Sequence, residues 1–449
     1  MRVSQILWMW VVAFLLVVAA WQWGPSWTSG QSNIQTISFV GSDLSHVAEV
    51  TAMTLERDGE HWRFEREADG WWQVEPFQHR MHADLLMNLA AAALEIEVFD
   101  VADDRVDVDP ARLGLDPPLA ALTLSTPDTS TTLHLGRRGL AGRAWAKRGH
   151  DGPVFVVDST LHDALLLEHP ASWRDLRFYP GLSVDATRLE RTVQGESMVL
   201  ERQGRDWQIT APINTRADAE ATSEHLVALA SASGETVLMD QPDDPAAFGL
   251  DPAVARIGVT TADGTRTLLV GDVIAGSDQA RYAMVEGAPS VVRIGARDVA
   301  RLLGDPMGLV ERSGTDVTPM DVHQITIAQD GKQLVLERSL DRWLAGDLDG
   351  AVASTDVVDS LLGLLTQSLA TELLLVKQYP SDLEVAVITL SDHNGGPIDT
   401  VRLLRELPPP DGQGRWAMEN GDGVLRVLPE GTQWPLSPES FGLLTGSTR

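Results

Sequence analysis

Two histidines and one acidic run are the first places where this chain could do chemistry. His79 and His82 stand three residues apart. At a helix start that spacing would put both imidazoles on one face, where they could share a metal ion. No third ligand accompanies them, and solvated surface histidines are the plainer reading. Asp100, Asp103, Asp104, Asp107 and Asp109 could attract calcium. The run lacks the alternating ligands, the glycine and the terminal glutamate of an EF-hand loop. The chain has no Gly-rich phosphate loop with lysine, no Gly-x-Ser-x-Gly elbow and no His-Glu-x-x-His. Cysteine is absent, which removes disulfides, thiolate chemistry and cysteine metal sites. Among 64 Asp and Glu, no pair can be singled out for acid–base work. The expectation is no catalytic residue, no cofactor and no metal.

What recurs is of another kind. Glu65-Arg66 returns as Glu201-Arg202 and Glu337-Arg338, a step of 136 residues each time. A tryptophan follows each pair, at Trp72, Trp207 and Trp343. Apolar residues precede Glu-Arg and turn formers follow it, so each copy predicts a strand, a polar turn and a second strand. The tryptophans are expected to pack into the core of each unit, with ligand stacking as the alternative. Glu and Arg fall on opposite faces of a strand and are expected to find cross-strand partners on a solvated edge.

Around that hairpin a longer order repeats. Helical spacing predicts helices over 81–94, 217–231 and 354–370, with Ser354 as an N-cap. Gly114-Leu115-Asp116-Pro117 is repeated identically as Gly249-Leu250-Asp251-Pro252. It predicts a turn, because Gly tolerates positive φ, Asp bonds its own backbone and Pro fixes φ. Strands ending in Gly136 and Gly271 come next, then strands carrying Trp145 and Tyr282. A third unit keeps the hairpin, the helix and an aromatic at Trp416. It lacks Gly-Leu-Asp-Pro and the strand-ending glycine. At 449 residues the chain fits three domains of roughly 150 residues each. The expected units are 37–180, 181–314 and a divergent 315–449, with joints at Tyr179-Pro180-Gly181 and Ser313-Gly314. The expected fold is α+β: three tandem repeats of a mostly antiparallel sheet, each with one main helix.

Charge and hydropathy bear on location. Net charge is −29, which argues against nucleic acid. Ile6 to Trp23 is an uncharged run of 18 residues, about 27 Å long as a helix and close to the ~30 Å hydrocarbon core. Arg2 precedes it and no basic residue follows until Arg57, so residues 1–5 are expected in the cytoplasm and the bulk outside. Trp8 and Trp10 flank one end, and Trp21, Trp23 and Trp27 the other, as suits the two interfaces. An uncleaved single-pass anchor with a polar tether at 24–36 is expected. The alternative is a signal peptide cleaved after Val18-Ala19-Ala20.

This pattern of an apolar N-terminal segment, a Trp-bearing hairpin, a helix, Gly-Leu-Asp-Pro, Gly136 and Gly271, then Trp145 and Tyr282, resembles the domain-of-unknown-function family numbered 4340. The resemblance spans nearly all of 37–449 and is strongest in the first two units. It implies a bacterial, membrane-anchored protein, often encoded beside gliding-motility-type ABC transporter components. It carries over no catalytic residues. A non-enzymatic accessory or scaffold protein of an ABC-type envelope transport complex is thus the first expectation, with membrane subunits as partners. An extracytoplasmic binding protein for a glycan or peptide ligand is the second.

Overall fold

Burial alternates with a period of two along Ala52–Arg57 and Glu60–Glu67, the pattern of strands with one wet and one dry face. The dry face carries Met53, Leu55, Trp62 and Phe64. A computed structural model describes residues 46–101, 109–182, 185–346, 348, 350–376, 380–407 and 415–443. The expected membrane segment, its flanks and the tether lie outside the described residues. So do Asp103, Asp104 and Asp107. Among the described residues, no helix is long and apolar enough to cross a membrane.

Each repeat is one nine-stranded antiparallel sheet. In repeat 1 the strands are Ala52–Arg57, Glu60–Glu67, Gly70–Glu75, His79–Arg80, Val98–Val101, Ala120–Ser125, Ser130–Arg138, Arg143–Arg148 and Val154–Asp158. Their order across the sheet is fourth, third, second, first, sixth, seventh, eighth, ninth, fifth, and the other two repeats keep that order. The fourth and fifth strands therefore form opposite edges. The main helix joins them in sequence, so it must carry the chain from one edge to the other. That helix is α1, Ala83–Leu94, in repeat 1. A short α2, Thr160–Leu166, follows the ninth strand. Repeat 2 has α3, Ala219–Ser231, and α4, Ala296–Leu302. Repeat 3 has α5, Thr355–Gln367.

The helices bury one stripe against the sheet. Leu86, Leu89, Ala90 and Ala93 of α1 join the sheet's apolar face in one core, while Leu85 stays exposed. Val358, Leu361, Leu362 and Leu365 of α5 do the same in repeat 3. Ser354 sits at the N-cap position of α5, but its side chain makes no capping bond.

Each repeat also has a first strand (Ala52–Arg57, Arg188–Val193, Gln324–Gln329) that the recurring hairpin pattern does not announce. It lies at the centre of the sheet, between the second and sixth strands. The hairpin strand with Glu-Arg is accordingly interior to the sheet, not an edge.

By compactness the chain divides between Leu176 and Arg177, and 177–449 forms one unit containing two sheets. Tyr179 is no loose linker residue. It is buried, and its hydroxyl donates to Ile257 O at 2.6 Å. Burial pushes the Tyr179 hydroxyl pKa up.

Candidate functional site

The recurring residues build the sheets. The registers Arg66↔Trp71, Arg202↔Trp207 and Arg338↔Trp343 show that Trp71, not Trp72, is the repeat equivalent. Trp71 is 2 % exposed and sits in the core. Trp72 points the other way. Its indole Nε1 donates to Asp69 at 2.9 Å and Arg80 stacks on its ring. Trp343 is buried at 2 %, whereas Trp207 is only half-buried. The recurring arginine thus stands opposite the tryptophan in register, and in repeat 3 Arg338 lies 5.7 Å over the Trp343 ring. The glutamates do find neighbouring-strand partners in two repeats, Arg188 for Glu201 and Gln324 for Glu337.

Gly-Leu-Asp-Pro and the strand-ending glycine are one device. Gly114 and Gly249 take left-handed φ of 71° and 66° at the turn. The turns close with bridges Leu115↔Pro118 and Leu250↔Ala253, so Asp116, Pro117, Asp251 and Pro252 are turn residues. The chain just before each turn presses on the next-but-one strand. A Cβ on Gly136 would stand 2.5 Å from Leu113 O, and one on Gly271 would stand 2.1 Å from Phe248 O. Repeat 3 has lost both halves together. The registers Leu135↔Ala146, Val270↔Ala283 and Leu404↔Ala417 put Arg405 where those glycines stand, and Arg405 stacks on Trp416 at 5.3 Å. Gly271→Ala is expected to cost about 1–3 kcal/mol through overpacking against the turn carbonyl. Denaturant midpoints check this; an unchanged midpoint would show that the turn moves freely.

The sequence candidates for metal are not brought together. His79 lies in a strand, with Nδ1 2.8 Å from Arg80 O, and His82 is the N-cap of α1. They share no helix face, because the helix starts only after His82. Asp100 and Asp109 bond nearby backbone amides. Among the described residues, no group of three or more His, Asp or Glu could hold a metal ion.

Two polar clusters that the sequence reading missed lie within 177–449. The first joins repeats 2 and 3. Arg426 sits in the last strand of repeat 3 and is 0 % exposed. It donates to Asp422 at 2.7 Å, to Glu311 O at 3.0 Å, to Thr215 Oγ1 at 3.2 Å and to Asn420 at 3.3 Å. Thr215 in turn donates to Asp422. Burial pushes the Asp422 carboxyl up, but the Arg426 hydrogen bonds and charge, with Thr215, prevail and hold it below the usual range. Nothing in this network is left free to act on a substrate.

The second cluster lines a cleft of about 540 Å³ in repeat 2, between α3 and the chain that follows α4. Strand Arg188–Val193 supplies Arg191 and α3 supplies His225. Arg191 is 6 % exposed and His225 8 %. The 136-residue step places Leu55 and Ile327 where Arg191 stands, Leu86 and Val358 where Thr222 stands, and Leu89 and Leu361 where His225 stands. Sheet register confirms the first, since Leu55, Arg191 and Ile327 pair with Leu122, Ile257 and Ile388. All six apolar equivalents are buried in their cores. Repeat 2 has therefore exchanged three core positions for polar side chains.

Arg191 has a structural use. It donates to Leu302 O and Gly304 O at the C-terminal end of α4. Arg57 does the same in repeat 1, donating to Leu165 O at 2.6 Å and Glu168 O at 2.8 Å. His225 has no such use at Nε2, which is buried and makes no hydrogen bond, and Thr222 Oγ1 is likewise unpaired. Burial, then the Arg191 charge, pushes the His225 pKa down to about 4. Arg191, Arg301, Glu224 and Asp305 are the charged groups around it. The unfolded chain takes up this proton near pH 6.5, whereas the fold refuses it until about pH 4. Stability is therefore expected to fall as pH drops through that window, by roughly 3 kcal/mol in the limit. His225→Leu should abolish that part of the slope, leaving the parts due to other shifted groups, among them His134 and His162, whose pKa values burial also pushes down, and Asp422, whose part is lost only below its unfolded value of 3.8. Unfolding at a series of pH values checks it; parallel slopes for the two proteins would exclude the His225 assignment.

No curated protein matches the chain significantly. The family model described as "Domain of unknown function (DUF4340)" matches residues 84–206 and 207–384. The first match runs from α1 into the hairpin of repeat 2, and the second runs from that hairpin past α5 to the start of strand Glu384–Ser391 in repeat 3, so the matches do not coincide with the sheets. With two matches over most of its length, the chain belongs to this domain-of-unknown-function family.

Proposed function

We propose that the protein is a non-enzymatic accessory or scaffold protein of an ABC-type envelope transport complex. It is held by one N-terminal helix, with its repeats outside the cytoplasmic membrane. The observation that carries the proposal is the use made of the recurring residues. Trp71, Trp343, Gly136, Gly271 and the two Gly-Leu-Asp-Pro turns are all spent on cores, turns and close backbone approach. Repetition here multiplies surface, not sites, and extended repeat surfaces suit protein partners. The Arg426 network, which ties repeat 2 to repeat 3, suits a spacer. The apolar run 6–23 supports the anchor, and its lack of polar residues between Ile6 and Ala20 leaves partner choice partly to the outer repeats.

Deleting repeats 2 and 3 while keeping residues 1–183 tests the assignment of the interface. Loss of the membrane partners is expected. Recovery of the same partners at undiminished yield would remove the outer repeats from the interface. Protease digestion of spheroplasts tests topology: residues beyond 36 are expected to be cut from outside, and full protection would reverse the orientation.

A further inference from the structure

Two buried core positions, Thr222 and His225, turned polar in one repeat of three without a hydrogen-bond partner, and they need a reason beyond folding. Leu or Val does the packing job at these places in repeats 1 and 3, and an unpaired buried polar atom costs stability. Departures of this kind gather where a protein binds something. We propose that the cleft between α3 and the end of α4 in repeat 2 is a binding site for a small neutral ligand rich in hydroxyl groups, a monosaccharide or polyol. The inference stands apart from the scaffold proposal, since the cleft lies within one repeat and needs no membrane subunit.

Four features select this ligand class. The cleft, at about 540 Å³, lies in the range of about 300–1,000 Å³ common for small-molecule sites. His225 lines it, with Nε2 buried and unpaired. A hydroxyl can either donate to or accept from that nitrogen, so it satisfies both imidazole tautomers. The charges of the lining cancel, two guanidiniums (Arg191, Arg301) against two carboxylates (Glu224, Asp305), in a chain whose net charge is −29. A carboxylate ligand would meet Glu224 and Asp305, and a cation would meet Arg191 and Arg301. A neutral hydroxylated ligand can use both kinds of group as donors and acceptors at once. Lastly, Val227, Leu309 and two alanines of the lining offer apolar surface to the C–H face of a ring. A wholly apolar ligand would leave His225 Nε2 unpaired and gain nothing from the exchange of Leu for His.

The test is calorimetric titration of the full-length protein with D-glucose, D-galactose, N-acetyl-D-glucosamine and glycerol, with acetate and ethylammonium as charged probes. At least one neutral probe is expected to bind saturably and more tightly than either charged one. Its affinity is expected to fall about ten-fold or more, the worth of one lost hydrogen bond to a polar site, in both His225→Leu and Arg301→Ala. His225→Leu should fold, because leucine already fills the same place at Leu89 and Leu361. Arg301 is a partly exposed surface residue, which gives a second variant independent of the core. Absence of saturable binding by all four neutral probes would overturn the proposal. So would affinity unchanged from the native protein in either variant, tighter binding of a charged probe, or a high-resolution structure of a soaked crystal with only a water on Nε2.

Discussion

Arg426→Ala is expected to cost about 3–5 kcal/mol, the loss that follows when one partner of a buried charge pair is removed. The substitution leaves Asp422 buried beside Thr215 with no cation, and it strands Glu311 O without its donor. Because Thr215 belongs to repeat 2 and Arg426 to repeat 3, the damage should reach both sheets. Hydrogen exchange measures this directly. Amides of strand Thr215–Arg216 and of strand Val424–Val427 are expected to lose protection together. Loss confined to the repeat 3 strand would mean that the junction does not couple the two repeats. Arg426→Leu should cost less than alanine only if Asp422 is neutralised as well, so Arg426→Leu/Asp422→Leu separates lost packing from stranded charge.

Trp343→Ala should cost a similar amount, about 3–5 kcal/mol, as for a large aromatic truncated in a core. The ring is 2 % exposed within the core that includes Leu336, Leu361 and Phe441. Trp207→Ala, at the equivalent place in repeat 2, should cost clearly less, because that ring is only half-buried. Chemical unfolding of the two variants side by side gives the comparison. Equal losses would contradict the difference in burial, and a loss below about 1 kcal/mol for Trp343 would place the ring outside the core.

Much of the fold is legible in sequence because its signals are local. Turn formers between Glu67 and Trp71, the helical stripe of α5 and the identical Gly-Leu-Asp-Pro copies all act within a few residues of themselves. The strand-ending glycines were visible as a recurrence, yet their reason is not local. Gly271 meets Phe248 O, across two strands of chain. With Trp71 and Trp72 in tandem, recurrence alone does not say which ring is the repeat equivalent, and strand register selects Trp71. In a strand a one-residue slip exchanges the two faces, so the register decides which ring enters the core. The central first strand was hidden in repeat 2 because Arg-Leu-Glu-Arg-Thr-Val does not alternate apolar and polar residues cleanly. Its buried face includes a charge.

The cleft was illegible for the same reason. Arg191 and His225 look ordinary when each repeat is taken alone. The signal was available in the columns, Leu55-Arg191-Ile327 and Leu89-His225-Leu361, once the 136-residue step was applied to every position. Burial and the unpaired Nε2 depend on how the chain after α4 closes over α3, and no spacing announces that. Arg426 likewise stood as a lone charge in an apolar strand, Val424 to Leu428. A charge there demands partners, but those partners come from residues 215, 311, 420 and 422.

The central claim, that these repeats serve protein partners in a membrane complex, is tested most directly by affinity purification of the full-length chain from native membranes in mild detergent, with mass spectrometry of what comes with it. Near-stoichiometric recovery of ABC-type integral membrane subunits is the result the account expects. Recovery of the chain alone, at the same yield with and without cross-linking, would contradict it.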